Sequence, residues 1–254
     1  MTTFALRQGS PDETRADLVV VGVVQGPKGA TLAEGAHSLS AAWGRKLSPL
    51  LASMSVTGKA GESVRVPTGG VIPAPMMLLV GLGADADVHS VRHAAGVAAR
   101  NVGNAASATL ALPATDADHV SAIAEGFLSG LYVYLRTGAG VAEVALLSPV
   151  ASQAAAIAAM SRAHTASTYL NLARDWVNTP ANVLNPPSFA QTVADLCTEM
   201  AIPGLTCTVL AEGDLRELQC GGILAVGAAS AQPPRLVHLE YQPRQASGHV
   251  ALVG

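Results

Sequence analysis

Short apolar runs alternate with amphipathic segments along the first half of the chain. Residues 17–24 (DLVVVGVV) and 77–83 (MLLVGLG) are almost continuously apolar, which is the pattern of strands buried on both faces of a sheet. The other elements that the pattern predicts here are helices at 34–54, 89–102 and 116–135, the last with Thr115 as its N-cap, and strands at 108–112 and 141–147. Alternating strands and helices predict an α/β fold with a largely parallel sheet covered on both faces.

The longest helical pattern covers residues 151–177. Its spacing of three and four residues is carried by Ile157, Met160, His164, Ser167, Leu170 and Arg174. A helix of this length between two α/β patterns predicts a rigid spacer between domains. It must end before Pro180, because proline lacks an amide donor and disfavours the helical conformation in the residue before it.

The remaining residues, 178–254, begin with a loop rich in Pro and Asn at 178–187. The pattern then predicts helices at 188–200 and 212–219 and strands at 205–210, 236–241 and 249–253. The functional groups of open α/β sheets gather beyond the carboxyl ends of the strands, and the last predicted strand stops at Gly254 without a cover. We therefore expect the chain to be incomplete at its C-terminus.

Composition narrows the class of protein. Half of the residues are hydrophobic and only 4% are aromatic, with Ala, Val, Leu and Gly carrying the apolar content, which suits closely packed α/β layers and excludes a disordered chain. No run reaches the ~20 apolar residues of a membrane-spanning helix, and the N-terminus lacks the pattern of a secretory signal. We expect a soluble cytoplasmic protein without membrane partners. The net charge of −3 argues against nucleic acid as a partner.

Two groups of residues carry side chains that can bind metal or form disulfides. His89 and His93 stand four apart on a predicted helix, but no Glu follows His89 and no third ligand is evident, so we interpret them as helix-surface or interface histidines. The three cysteines, Cys197, Cys207 and Cys220, are odd in number and have no C-x-x-C spacing. They are interpreted as small core residues rather than as a disulfide framework or a zinc site.

Glycine, serine and carboxylate motifs give no catalytic assignment either. Gly81-Leu82-Gly83 lacks the third glycine of a dinucleotide fingerprint and predicts a strand-ending turn, while the glycine pairs at 26–29 and 58–61 lack the Walker pattern and predict solvated loops. Ser129 lies inside a helical pattern rather than in a nucleophile elbow. Asp175 and Glu212 are a possible carboxylate pair. They are more simply a polar residue near a helix end and an acid in the opening turn of a helix.

Two stretches carry a resemblance to a known family. One is residues 171–189 (NLARDWVNTPANVLNPPSF), above all Arg174-Asp175 and the Asn-Thr-Pro and Asn-Val-Leu groups that follow. The other is residues 221–241 (GGILAVGAASAQPPRLVHLEY), with a glycine turn, a strand at 223–226, Pro-Pro and a strand that ends in Tyr. Weaker similarity occurs at 78–83 (LLVGLG) and 125–132 (EGFLSGLY). These stretches resemble the leucyl aminopeptidase, or cytosol aminopeptidase, family.

The resemblance implies an N-terminal macro-like three-layer domain at 1–150, a long connecting helix at 151–177, and the opening part of an α/β catalytic domain at 178–254. Within the third part, Asn178 and Asn182 are expected to satisfy backbone groups of the turn. The two resembling stretches, 171–189 and 221–241, are then expected to be loops that pack one domain on another.

The resemblance also implies the function of the whole protein. It is a hydrolase and protease of the metalloprotease class, a leucyl-type aminopeptidase that releases N-terminal amino acids from peptides, works in the cytoplasm, and assembles as a homohexamer. The family holds two divalent ions, manganese or zinc, and its ligand motif begins with Lys-Gly directly after a strand like HVALVG. The ligands are therefore expected beyond Gly254, and no catalytic, cofactor-binding or metal-ligating residue is assigned within this chain.

A different class of function stays open as an alternative. Macro domains bind ADP-ribose, and some members of the family bind DNA, so the chain could be a non-catalytic binding or regulatory module. A thermal shift with ADP-ribose tests the first version. A steep salt dependence of DNA affinity tests the second, because phosphate contacts release counterions.

Overall fold

The structure is a computed structural model that describes residues 2–27, 29–135, 137 and 140–254. Its chain divides into two compact units, Met1–Asp175 and Trp176–Gly254, which are described separately below. The predicted loop at 26–29 includes Lys28, which lies outside the described residues.

The first unit is built on one sheet. Its strands are β1 Thr3–Arg7, β2 Leu18–Val24, β3 Thr31–Leu32, β4 Ser63–Pro67, β5 Met76–Gly83, β6 Ser107–Ala111 and β7 Glu143–Leu147. They lie in the order β1-β7-β6-β2-β5-β4, with β3 beside β2, and the described strands are parallel except for β3 and β4. The four strands predicted for this part of the chain and the largely parallel sheet are thus confirmed. β1, β3 and β4 were missed, because short strands at or near a sheet edge do not show a continuous apolar run.

The helices of the first unit are α1 His37–Trp43, α2 Leu47–Ser53, α3 Val88–Arg100, α4 Ala117–Gly130 and α5 Ala154–Asn178, whose last three residues belong to the second unit. The prediction of one helix at 34–54 is wrong, because a 3₁₀ turn at Gly44–Lys46 separates α1 from α2 and Gly44 has a φ of 53°. The extension of α4 to residue 135 is also wrong, since Leu135 has a φ of 48°, which a right-handed helix does not accommodate. Asp116, not Thr115, caps α4, and its Oδ1 accepts from the His119 amide at 2.9 Å.

The core has two parts, one on each face of the sheet. Alternate residues of β2 and β5, such as Leu18 and Leu78, pack with α3, α4 and α5, while their neighbours Val19 and Met77 pack with α1 and α2. All four of these side chains are at most 1% exposed, and fully burying one of this size is worth about 1.5–3 kcal/mol. Two helical layers around a sheet confirm the predicted three-layer arrangement.

The long helix α5 uses mainly small residues, together with Met160, for its buried face. Ala156, Ala159, Met160, Ala163 and Ser167 are buried. The predicted stripe is therefore partly wrong: Ile157 is 54% exposed and Leu170 is 46% exposed, because alanines rather than larger side chains let this helix approach the core. Neither α5 nor any other helix in the described part of the chain is both long enough and apolar enough to cross a membrane.

The second unit contains α6 Pro186–Met200, β8 Leu205–Leu210, α7 Glu212–Glu217, α8 Gly221–Gly227 and β9 Leu236–Tyr241. β8 and β9 pair antiparallel, and the elements predicted at these places are confirmed. Two expectations are wrong. The apolar run at 223–226 lies in the helix α8 instead of a strand, and residues 249–253 form no strand, because they pair with no other strand among the described residues.

Candidate functional site

Arg174 and Asp175, in the first resembling stretch, lie against the end of α4. Arg174 Nη1 donates to the carbonyl oxygen of Ser129 at 2.9 Å and to Asn171 Oδ1 at 3.3 Å. The guanidinium carbon of Arg174 lies 5.4 Å from the ring centroid of Tyr132, whose hydroxyl donates to Asp175 Oδ1 at 2.9 Å. Residues 171–175 therefore bind the 125–132 stretch, so two of the resembling stretches meet at one place in the fold.

The turn after α5 is held by a residue that the sequence reasoning missed. Asn185 Oδ1 accepts from the Ser188 amide at 3.2 Å, and Ser188 Oγ accepts from the Asn185 amide at 2.9 Å, so the two residues form a capping box for α6. The signal was visible, because prolines at the first helical positions follow Asn185 directly. The prediction for Asn182 is wrong: its side chain is exposed and makes no hydrogen bond within the described residues. The prediction for Asn178 stays a prediction.

The rest of this turn is largely exposed and is held by backbone hydrogen bonds and one ring contact nearby. The carbonyl oxygen of Pro180 accepts from the amides of Val183 and Leu184, both at 2.9 Å. Nearby, the rings of Trp176 and Phe189 meet edge to face with their centroids 5.1 Å apart. These contacts stabilise the start of the second unit, and none of them presents a group to a substrate.

The second resembling stretch is likewise explained by packing. A Cβ on Gly227, the last residue of α8, would lie 2.9 Å from Pro234 Cγ, so the Pro-Pro segment rests directly on that glycine. Glu212, in the first turn of α7, accepts from Arg216 Nη2 at 2.5 Å. Because Asp175 accepts from Tyr132, both members of the possible carboxylate pair have partners within their own units.

The donor groups do not form a metal site. His89 and His93 are exposed on α3, and within the described residues no three His, Cys, Asp or Glu side chains are grouped to hold a metal ion. The cysteines are free but partly exposed, which corrects their assignment to the core. Burial, followed by the neighbouring Cys197 thiol, raises the pKa of the Cys207 thiol, which disfavours the thiolate that binds metal. The described residues therefore do not fit a two-metal centre, and no catalytic step is assigned to them.

The macro-like alternative would place its ligand at the carboxyl edge of the sheet. α3 and α4 begin there, and their N-terminal amides could bind phosphate. Asp87 Oδ1 already accepts from the Ser90 amide at 2.7 Å, as Asp116 does from the His119 amide. These backbone hydrogen bonds, which are the largest cause in each case, hold the pKa of both carboxyls below the ordinary value. The ionised carboxylates that cap these two helices would repel a nucleotide phosphate at the same place.

The glycines that end β5 are required by a loop packed on them. A Cβ on Gly81 would lie 1.9 Å from the Lys59 carbonyl oxygen, and the Gly83 amide donates to the Gly58 carbonyl oxygen at 2.8 Å. The turn predicted at 81–83 is therefore misplaced: these three residues belong to β5, and the chain bends only after Gly83, whose φ is 90°. The prediction of a solvated loop at 58–61 is wrong for Gly58, which is buried beneath this contact.

Comparison with known proteins places both units in one family. The N-terminal domain of the cytosol aminopeptidase family matches residues 20–139, and the catalytic domain of the same family matches residues 171–254. The probable cytosol aminopeptidase of Streptomyces avermitilis is 38% identical over all of this chain and 53% of its own length. That of Micrococcus luteus is 34% identical over 96% of this chain and 50% of its own length. The chain thus spans about half the length of these relatives.

Solved structures show the same fold. The bottromycin maturation enzyme BotP in complex with Mn matches with a TM-score of 0.69 at 32% identity, over 90% of this chain and 46% of that one. A mutant of tomato leucine aminopeptidase matches with a TM-score of 0.80 at 20% identity, over 97% of this chain and 52% of that one. At that identity the second likeness concerns the fold alone.

Proposed function

The chain belongs to the cytosol aminopeptidase family, and on that premise we propose that it is part of a metal-dependent leucyl-type aminopeptidase that releases N-terminal amino acids from peptides. Residues 1–150 are its N-terminal domain, residues 151–177 the connecting helix and residues 178–254 the start of the catalytic domain. The observation that carries the proposal is the order of the two matches, with the N-terminal domain at 20–139 and the catalytic domain at 171–254.

The contacts of Arg174 and Asp175 support a positioning role for this chain. Both residues bind groups at the end of α4, and the catalytic match begins only a few residues earlier, at residue 171. A fixed C-terminal end of α5 sets where the chain leaves the first unit. The chain therefore contributes a scaffold from which the catalytic domain starts.

The metal chemistry is proposed for the whole protein. BotP has been solved with Mn, and two divalent ions, manganese or zinc, would polarise the scissile carbonyl and supply hydroxide near neutral pH. Since the described residues do not provide the donor set, the ligands are proposed to lie outside these 254 residues.

Location and assembly are proposals on the same premise. The relatives carry the name cytosol aminopeptidase, which supports a cytoplasmic protein. A homohexamer is proposed from the family resemblance. Sedimentation equilibrium of a polypeptide that contains both family domains in full would test it, and a monomer at micromolar concentration would contradict it.

Hydrolysis of leucine p-nitroanilide tests the activity. The 254-residue chain and a fusion of this chain to the remaining half of the Streptomyces avermitilis relative are assayed with added Mn²⁺ or Zn²⁺. The fusion should turn over the substrate and lose activity with chelator, while the chain alone should not. A folded fusion without activity would contradict the proposal, and chelator-sensitive turnover by the chain alone would show that its ligands had been missed.

A further inference from the structure

A cavity of about 390 Å³ lies between α3, α4 and α5 in the first unit. It exists because α3 and α4 touch along three glycines, Gly96, Gly126 and Gly130, which form a glycine seam. A Cβ on Gly126 would lie 2.1 Å from the Arg92 carbonyl oxygen, and one on Gly130 would lie 2.7 Å from the Gly96 carbonyl oxygen. Because the two helix backbones approach so closely, no side chain lies between them, and a cavity remains beside α5.

Cations without a carboxylate partner line this cavity. Arg92 is paired with Glu125 at 2.9 Å, but Arg100 makes no hydrogen bond or ion pair within the described residues. Arg100 Nη1 lies 3.5 Å from the place of a Cβ on Gly96, so its guanidinium lies over the seam. The guanidinium of Arg174 donates only to amide-type oxygens. Two guanidinium groups at one cavity attract an oxyanion, because each offers paired donors that match it.

A buried hydroxyl points independently to a ligand. Ser167 is 3% exposed and lines the cavity, and its Oγ has no hydrogen-bond partner among the described groups. An unsatisfied buried hydroxyl is unfavourable and requires an explanation, such as a missing ligand. Ser167, Leu170 and Arg174 are spaced to follow one another along one face of α5, so the hydroxyl, an apolar wall and a cation line the same side.

We propose that this cavity binds a small carboxylate that carries a short aliphatic group. The carboxylate lies between Arg100 and Arg174, and the Ser167 hydroxyl bonds to it. The aliphatic group packs on Leu170, Ala166 and the glycine seam, which carry no polar side chains. A volume of this size is within the ordinary range for small-molecule sites. A ligand bound there would couple α5 to α3.

Calorimetric titration of the 254-residue chain with isovalerate tests whether the positive charge of Arg100 binds the carboxylate. We expect saturable binding at one site, weakened about tenfold or more by Arg100→Gln, as the loss of a charge-assisted hydrogen bond predicts. The matched control is Arg45→Gln, since Arg45 is also exposed and has no partner among the described residues. Absence of isovalerate binding, or equal loss of binding in both variants, would overturn the proposal.

Two further arms test the hydroxyl and the ligand class. Ser167→Ala should melt at the same or a higher temperature than the parent without ligand, since it removes an unsatisfied group, and yet bind isovalerate more weakly. Unchanged isovalerate affinity in Ser167→Ala would overturn the role of the hydroxyl. Inorganic phosphate and the neutral analogue isovaleramide should both bind more weakly than isovalerate, and equal binding of either one would overturn the assignment to an aliphatic carboxylate.

Discussion

Replacing Gly126 by alanine should loosen the contact between α3 and α4. The added Cβ would lie 2.1 Å from the carbonyl oxygen and 3.0 Å from the carbonyl carbon of Arg92. Both are backbone atoms of α3, so no side-chain rotation can relieve the overlap. The two helices must separate by roughly 1 Å to restore ordinary van der Waals distances.

The magnitude follows from two opposing effects. Alanine is favoured over glycine in a helix by about 1 kcal/mol, whereas forcing an extra carbon into a packed interior costs about 1–3 kcal/mol and occasionally more. Because the clash is with backbone, we expect the upper part of that range and a net loss of about 1–2 kcal/mol. For a unit of this size, that lowers the melting temperature by about 2–8 °C.

Thermal melting followed by circular dichroism measures the stability lost in Gly126→Ala, and hydrogen exchange locates that loss in α3 and α4. Two matched variants on the same seam complete the series. A Cβ on Gly130 would meet the Gly96 carbonyl oxygen at 2.7 Å, and a Cβ on Gly96 would meet nothing closer than 3.4 Å. Stability should therefore rise in the order Gly126→Ala, Gly130→Ala, Gly96→Ala. If Gly126→Ala melts no lower than Gly96→Ala, the close approach of the helices is refuted.

Three more outcomes are expected. Asn185→Ala should cost about 1 kcal/mol, seen as faster exchange of the first amides of α6, whereas Asn182→Ala should leave them unchanged. Tyr132→Phe should cost about 1 kcal/mol through the lost hydrogen bond to Asp175, and an unaltered melting temperature would count against that contact. The pKa of Asp17 is lowered chiefly by the Ser107 amide, so its stabilisation is present above the ordinary value and is lost as pH falls through the lowered one. Asp17→Asn should therefore weaken the loss of stability between neutral and acidic pH, and an identical pH profile would contradict this.

Much of the sheet could be predicted from the sequence, because strands buried on both faces show as apolar runs. β2 and β5 are of this kind. The prediction for the run in α8 was wrong because four apolar residues fit a short strand and a helix equally well, and the structure places them in a helix. The strand expected at 249–253 failed for a related reason, because a strand needs a neighbour to pair with.

The contacts that matter most lay beyond sequence reasoning. Tyr132 and Asp175 are 43 positions apart, and no local pattern joins them. The cavity beside α5 depends on how closely Gly126 approaches α3, a tertiary distance that glycine content alone does not reveal. Asn185, in contrast, could have been identified from the prolines and serine that follow it.

Metal stoichiometry shows whether this chain supplies scaffold or ligands to a metallo-aminopeptidase. Equilibrium dialysis against Mn²⁺ would compare the 254-residue chain with its fusion to the remaining half of the Streptomyces avermitilis relative. We expect about two tightly bound ions per fused chain and none on the 254-residue chain. Tight, stoichiometric Mn²⁺ binding by the 254-residue chain, or a folded fusion that binds none, would contradict this expectation.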